Sequence, residues 1–121
     1  MAGQHILIVE FDRNPDSRFF LCRSCSTHIT LSQEVVFEHK PTGAIIMKKA
    51  ENVMIDHFTP WRRANRTTMA AVHCVRCFTG LGNFFVAVEN PSDVFQQGFF
   101  LLSLRKLMYW NGSQVVDPME T

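Results

Sequence analysis

The chain has 121 residues, 46% of them hydrophobic and 11 of them phenylalanine, enough for one core and too few for two domains. Twelve Lys and Arg against eleven Asp and Glu leave a net charge of +1, which excludes a global field able to hold nucleic acid or a membrane surface. The apolar run near the start, Ile6 to Val9, is far shorter than a signal-peptide core or a spanning helix, so a soluble protein of a reducing compartment is expected.

Turn signals recur at "RNPD", "KPTG", "TGLGN", "ENPSD" and "WNG", and the short extended segments between them predict an antiparallel sheet protein. In chain order the predicted strands run Ile6 to Phe11, Arg18 to Leu21, Glu34 to Glu38, Ala44 to Lys48, Val53 to Phe58, Thr67 to His73, Asn83 to Val88 and Phe99 to Leu104. "FFVAVE" is the strongest, being aromatic and β-branched and closed by "NPSD". "GFFLLSLRKLMYW" has no decisive period, and its leading Gly and its aromatics favour a strand. One domain is expected over residues 1–110, followed by a polar, frayed tail over 111–121.

All four cysteines fall in two Cys-x-x-Cys pairs, Cys22 with Cys25 and Cys74 with Cys77, separated by 48 residues. Two thiolates three positions apart on a tight turn share one metal ion without strain, and two such turns complete a tetrahedral zinc shell. A redox dithiol needs one pair in a βαβ setting, which is missing, and a disulfide framework needs an oxidising compartment. One structural Zn²⁺ is therefore expected, closed to water and contributing to folding. Arg23 and Arg76, one inside each pair, are candidates for offsetting the site's negative charge or simply solvated turn residues. His28 and His73 flank the pairs and read as packed or surface residues rather than ligands.

From about Phe19 to about Leu104 the chain resembles the Yippee-like family of small zinc-binding proteins. "FLCRSCSTHIT" is similar to that family's first knuckle through Phe20, Cys22, Cys25, Thr27, His28 and Ile29, and "GAIIMKKAENV" matches it at Ala44 and Asn52-Val53. "HCVRCFTGLG" carries the second knuckle with Leu81-Gly82, and "SDVFQQGFFLL" matches at Ser92, Phe95, Gly98, Phe100 and Leu102. The resemblance implies a mainly β fold in which two antiparallel sheets lean together as a tent and are pinned by one Zn(Cys)₄ site. That architecture is shared with the cereblon ligand-binding domain, centromere-loading factors and B-type methionine sulfoxide reductases.

Where the family has a tryptophan after the second knuckle, this chain has Asn83, within "GNFF". By spacing, Arg63, Met69 and Asn83 fall on the three tryptophans that form the cereblon cage, so no cage of that kind is expected. The family's Thr-Gly-x-His segment is replaced by "ANRT", Ala64 to Thr67.

With every cysteine committed to metal, none is left as the nucleophile a sulfoxide reductase requires, and no other catalytic constellation is present in the sequence. "HFTPWRRANR" places Phe58 and Trp61 beside Arg62, Arg63 and Arg66, a combination suited to an acidic peptide or a phosphate. The favoured reading of this stretch is a solvated hairpin loop whose aromatics pack back on the sheet. Function is expected to be that of a non-catalytic adaptor binding another protein, in the nucleus or cytoplasm; the resemblance suggests ubiquitin-ligase or cell-division assemblies. The alternatives are a small-ligand or modified-residue reader on the tent's concave face, with Trp61, Met69, Asn83 and Phe85 near its opening, and, less favoured, nucleic-acid binding through the arginine loop.

Overall fold

A computed structural model describes residues 7–58 and 60–120. Its strands are β1 (Phe19–Cys22), β2 (His28–Leu31), β3 (Val35–His39), β4 (Ala44–Met47), β5 (Val53–Ile55), β6 (Arg62–Ala64), β7 (Thr67–Cys74), β8 (Gly80–Val88), β9 (Phe100–Ser103), β10 (Leu107–Trp110) and β11 (Val115–Val116). They form two antiparallel sheets. The smaller has the order β11-β10-β1-β2, and the larger has the order β3-β4-β9-β8-β7-β5 with β6 also paired to β7.

The chain passes from the small sheet to the large one through a 3-10 turn at Ser32–Glu34, and returns through a second at Leu104–Lys106. Each turn takes three residues, and the strand that follows it joins the opposite sheet. Leu104 is buried inside the second turn and anchors it.

Alternation decides which face is covered. Along β7, Ala70, Val72 and Cys74 are buried while Ala71 is exposed. Ile45 and Met47 of β4 and Phe100 and Leu102 of β9 lie with Val72 in one apolar cluster against Phe20, Cys22, Ile29 and Leu107 of the small sheet. The core is thus the layer between the sheets, as two-sheet packing requires.

The run "GFFLLSLRKLMYW" is two strands in different sheets, β9 and β10, joined by the Leu104–Lys106 turn. Uninterrupted hydrophobicity concealed the break, because both halves face the same core. β2 follows the first knuckle directly and went unread because its polar Thr30 is buried, donating to Lys49 O at 2.7 Å.

Of the expected strand from Ile6 to Phe11, residue 6 lies outside the described residues and 7–11 form no ladder. Their backbone pairs with side chains: the Asn52 amide accepts from Val9 N–H at 2.9 Å and donates to Val9 O at 2.8 Å. Likewise the polar tail expected from residue 111 onward is built into the small sheet. β11 pairs with Tyr109 and Trp110, Met119 packs on the core, and Asp117 takes an ion pair from Arg23 at 2.9 Å. Polarity misled here because backbone pairing and one acid–base contact hold the segment.

Strands β8 and β9 approach closely at Gly82, whose φ of +154° and position leave a Cβ 2.2 Å from Leu101 O. Only glycine fits that backbone contact. Gly82→Ala should therefore cost about 3 kcal/mol or more, measured by denaturant unfolding of the zinc-loaded protein.

Candidate metal centre and the surfaces beside it

The first Cys-x-x-Cys closes the hairpin between β1 and β2, and the second closes the hairpin between β7 and β8. One belongs to each sheet. The two turns are built alike: Ser26 N–H donates to Cys22 O (2.8 Å) and Cys22 N–H to Thr27 O (2.7 Å), as Phe78 N–H does to Cys74 O and Cys74 N–H to Thr79 O (both 2.9 Å). The residue after each second cysteine, Ser26 or Phe78, has a left-handed φ of 63° or 61°.

These turns bring four sulfurs within 4.8 Å of one another. Cys22 Sγ lies 3.7 Å from Cys77 Sγ, and Cys25 Sγ lies 3.6 Å from Cys74 Sγ. A metal about 2.3 Å from each of four tetrahedral sulfurs requires edges of about 3.8 Å. The donor set and spacing fit one Zn²⁺, with no protein position left open for substrate.

Charge on the sulfurs is met locally. The backbone amides of Ser24 and Cys25 bond Cys22, and those of Arg76 and Cys77 bond Cys74. The Thr27 hydroxyl lies 3.0 Å from Cys25 Sγ and the Thr79 hydroxyl 3.1 Å from Cys77 Sγ. Thr79 Oγ1 is also 3.1 Å from Ser24 Oγ, which links the knuckles directly. Such outer contacts orient metal ligands and disperse their charge. Both threonines were readable as a repeated Cys-x-Thr, which the pairing of cysteines alone overlooks.

Neither arginine inside the knuckles is needed for that task. Arg23 donates to Arg105 O at 2.9 Å and Leu107 O at 3.2 Å besides pairing with Asp117, so it clamps the small sheet. Arg76 is exposed. His28 is packed between Phe11 and Phe19, and its Nδ1 accepts from Phe11 N–H at 2.7 Å, which assigns its proton to Nε2. Burial, aided by the Arg13 guanidinium, holds its imidazole below the ordinary value of 6.5. His73 is half-buried at the edge of an apolar depression and outside the sulfur cluster.

Without metal the thiols of Cys22, Cys74 and Cys77 differ. Burial pushes Cys22 up to about 12 and raises Cys74, whereas the hydroxyl and N–H of Thr79 bring the exposed Cys77 down to about 6. Zinc must displace protons from the buried pair, so uptake releases protons and weakens as pH falls.

From Arg62 onward the stretch "HFTPWRRANR" enters a short hairpin: Arg62 pairs with Met69, Arg63 with Thr68 and Ala64 with Thr67. Its aromatics do not pack back on the sheet, contrary to the sequence reading. Phe58 is 100% exposed and Trp61 49%. The turn at Asn65 and Arg66, both left-handed, aims the hairpin outward and leaves these rings little sheet to cover. Arg62 Nη2 donates to Asn83 Oδ1 at 2.6 Å, Arg63 pairs with Glu89, and Arg66 is exposed.

Met69 pairs with Phe85 across β7 and β8, but Phe85 is only 1% exposed, with Phe95 stacked on it at 5.6 Å. The residues expected around one opening therefore divide. Arg62, Met69 and Asn83 adjoin on three strands, Trp61 projects beside them, and Phe85 is structural.

A pair of leaning β-sheets held at their hairpin turns by four thiolates defines a zinc-stabilised β-tent domain. The family model described as Yippee zinc-binding/DNA-binding /Mis18, centromere assembly, matches residues 18–119, and the chain belongs to that family. A yippee-like protein of Schizosaccharomyces pombe is 28% identical over 93 residues, which cover 74% of this chain and 71% of that relative. Among solved structures, the Mis18 "Yippee-like" domain superposes with a TM-score of 0.64 at 18% identity, covering 78% of this chain and 96% of that one. The C-terminal domain of Caenorhabditis elegans Dicer-related helicase 3, solved with a 5′-triphosphate single-stranded RNA, gives 0.58 at 10% identity over 92% of this chain and 64% of that one. Both likenesses concern the fold.

Two outcomes follow. The purified protein should hold one zinc per chain by elemental analysis, and Cys74→Ser should lose both the metal and the cooperative melt; a metal-free sample with an unchanged melt would refute the site. His28 is favoured neutral when folded, so its contribution is present above 6.5 and lost as pH falls below that value. At constant zinc content, melting temperature should drop on acidification, and His28→Asn, which keeps an acceptor but cannot ionise, should flatten the dependence.

Proposed function

We propose that this protein is a non-catalytic, zinc-stabilised interaction module that docks another protein beside its second knuckle. One observation carries the reading. Phe58, Phe78 and Met54 stand exposed around a depression of about 200 Å³ that Ile55, Asp56 and His73 complete. Exposed aromatics gathered at one place, next to a rigid metal-clamped turn, are the composition of an interface centre.

Phe78 is the most informative of these. It is 65% exposed, and its φ of 61° is costly for an aromatic residue, by about 1 kcal/mol. The matching position of the first knuckle carries Ser26. A bulky apolar ring held in a strained conformation in solvent gives the fold nothing, which favours a partner as its reason.

The finer reading is an adaptor subunit of a cell-division or ubiquitin-ligase assembly, working in the nucleus or cytoplasm. The family's description with centromere assembly supports the first. With all four cysteines committed to zinc, the chain has no thiol for sulfoxide reduction, which supports a binding role over catalysis.

Nucleic acid ranks second. The family description includes DNA binding, and one structural neighbour was solved with RNA. What holds it second is the small local charge, since Arg62 and Arg63 already have partners in Asn83 and Glu89.

Phe78→Asn relieves the left-handed strain and removes the ring. It should raise stability by about 1 kcal/mol while abolishing a partner recovered with the native protein by affinity purification. Alanine at Arg62, Arg63 and Arg66 should weaken the interaction, with only a small drop in melting temperature from the loss of the Arg62–Asn83 and Arg63–Glu89 contacts. Retention of every partner by both variants would overturn the reading, and selective loss of nucleic acid by the arginine variant would replace it with the second.

A further inference from the structure

A separate cavity of about 370 Å³ opens between the sheets, on the side away from the depression beside Phe78. It is lined by Phe20 and Tyr109 of the small sheet, Val35 and Glu38 of β3, Ser32 of the first 3-10 turn, and Pro118 of the C-terminal segment. A volume of this order suits a small molecule or a single long side chain.

Register explains how a carboxylate comes to line an apolar gap. Glu38 pairs with Ile45, which is fully buried, so both project from the core side of the large sheet. The β-bulge between Val35 and Phe37 brings Val35, opposite Met47, onto that side as well. Glu38 is exposed and so stands at the rim. It is the one charged group of the lining, and no partner for it is seen among the described residues.

The walls are aromatic. Phe20 and Tyr109 lie with ring centroids 4.8 Å apart at 44°. Ser32 donates its hydroxyl to Tyr109 Oη at 3.3 Å, which fixes the phenol and leaves its own proton free to be donated. On the far side the C-terminal segment is held in place by the Arg23–Asp117 ion pair and by Met119 N–H on Asp117 Oδ1 at 2.9 Å. An inward charge on an edge strand also discourages sheet-to-sheet association. That role accounts for Glu38 by itself and leaves the aromatic chamber behind it unexplained.

We propose that this inter-sheet cavity binds an organic ammonium group, with the alkyl chain against Phe20, Val35 and Pro118 and the cation between the aromatic rings and the Glu38 carboxylate. Aromatic faces and a carboxylate attract a cation together, and partial desolvation strengthens both terms. The ligand class is an alkylammonium, free or as a lysine side chain. The site lies apart from the Phe78 surface and does not depend on it.

The test is titration of the zinc-loaded full chain, followed by the amide and ring signals of Phe20 and Tyr109 in NMR. Probes are butylammonium, butyltrimethylammonium, a short lysine peptide in unmodified and trimethylated forms, and, as a neutral control one carbon longer, pentanol. Saturable shifts with a cationic probe, at least about tenfold tighter than pentanol, are expected. Glu38→Gln should weaken them by about threefold at unchanged zinc content and melting temperature. Tighter binding of a peptide than of butylammonium would assign the source to a protein side chain, and the reverse to a free amine. Absence of saturation with every cation, equal binding of pentanol, or indifference to Glu38→Gln would overturn the proposal.

Discussion

The four-thiolate centre is the tie on which the arrangement of the two sheets depends. The small and large sheets are also joined by two 3-10 turns, by the apolar layer between them and by hydrogen bonds from β2 to the segment after β4, such as Thr30 to Lys49 O. A core of this size leaves little margin over chain entropy, so fixing the two hairpin tips together removes the motion to which the fold is most exposed. Hydrogen bonds to the sulfurs reinforce that tie. Amides, two threonine hydroxyls and Ser24 all serve the cluster, while the charged side chains of the knuckles look elsewhere.

That division was partly legible from the chain alone. Ligand identity needs only residue type and spacing, both local, and the doubled Cys-x-x-Cys carried them in full. The β class and most strands of the large sheet were readable for a similar reason, since turn residues bound segments rich in β-branched and aromatic side chains. What stayed hidden depends on contacts between distant parts. Whether Phe85 is a surface residue is decided by Phe95 folding over it, and whether the final segment is anchored is decided by Arg23. The hinge at Leu104 offered no Gly or Pro, because a buried leucine turns the chain there through packing rather than backbone chemistry.

Asn83 shows how a missing aromatic is absorbed. Its side chain receives the Arg62 guanidinium across β7, bracing the outer hairpin against the third strand in. Of the three positions aligned by spacing with the aromatic cage, Arg63 faces Glu89, Met69 lies opposite Arg62, and Asn83 is occupied by that arginine. Together these contacts make a polar brace and not an aromatic enclosure. It follows that binding surfaces here should be sought elsewhere on the tent, as the knuckle patch and the inter-sheet gap both illustrate.

The twin construction of the knuckles bears on how the molecule assembles. Each turn is closed by hydrogen bonds spanning no more than five residues, whereas the two pairs are 48 residues apart. Local closure is fast and distant closure is slow, so two bidentate half-sites can form within their own hairpins before the sheets meet. Metal capture then becomes a docking step between prepared halves: an ion held by one hairpin recruits the other, and the loop-closure cost falls on a single event late in folding.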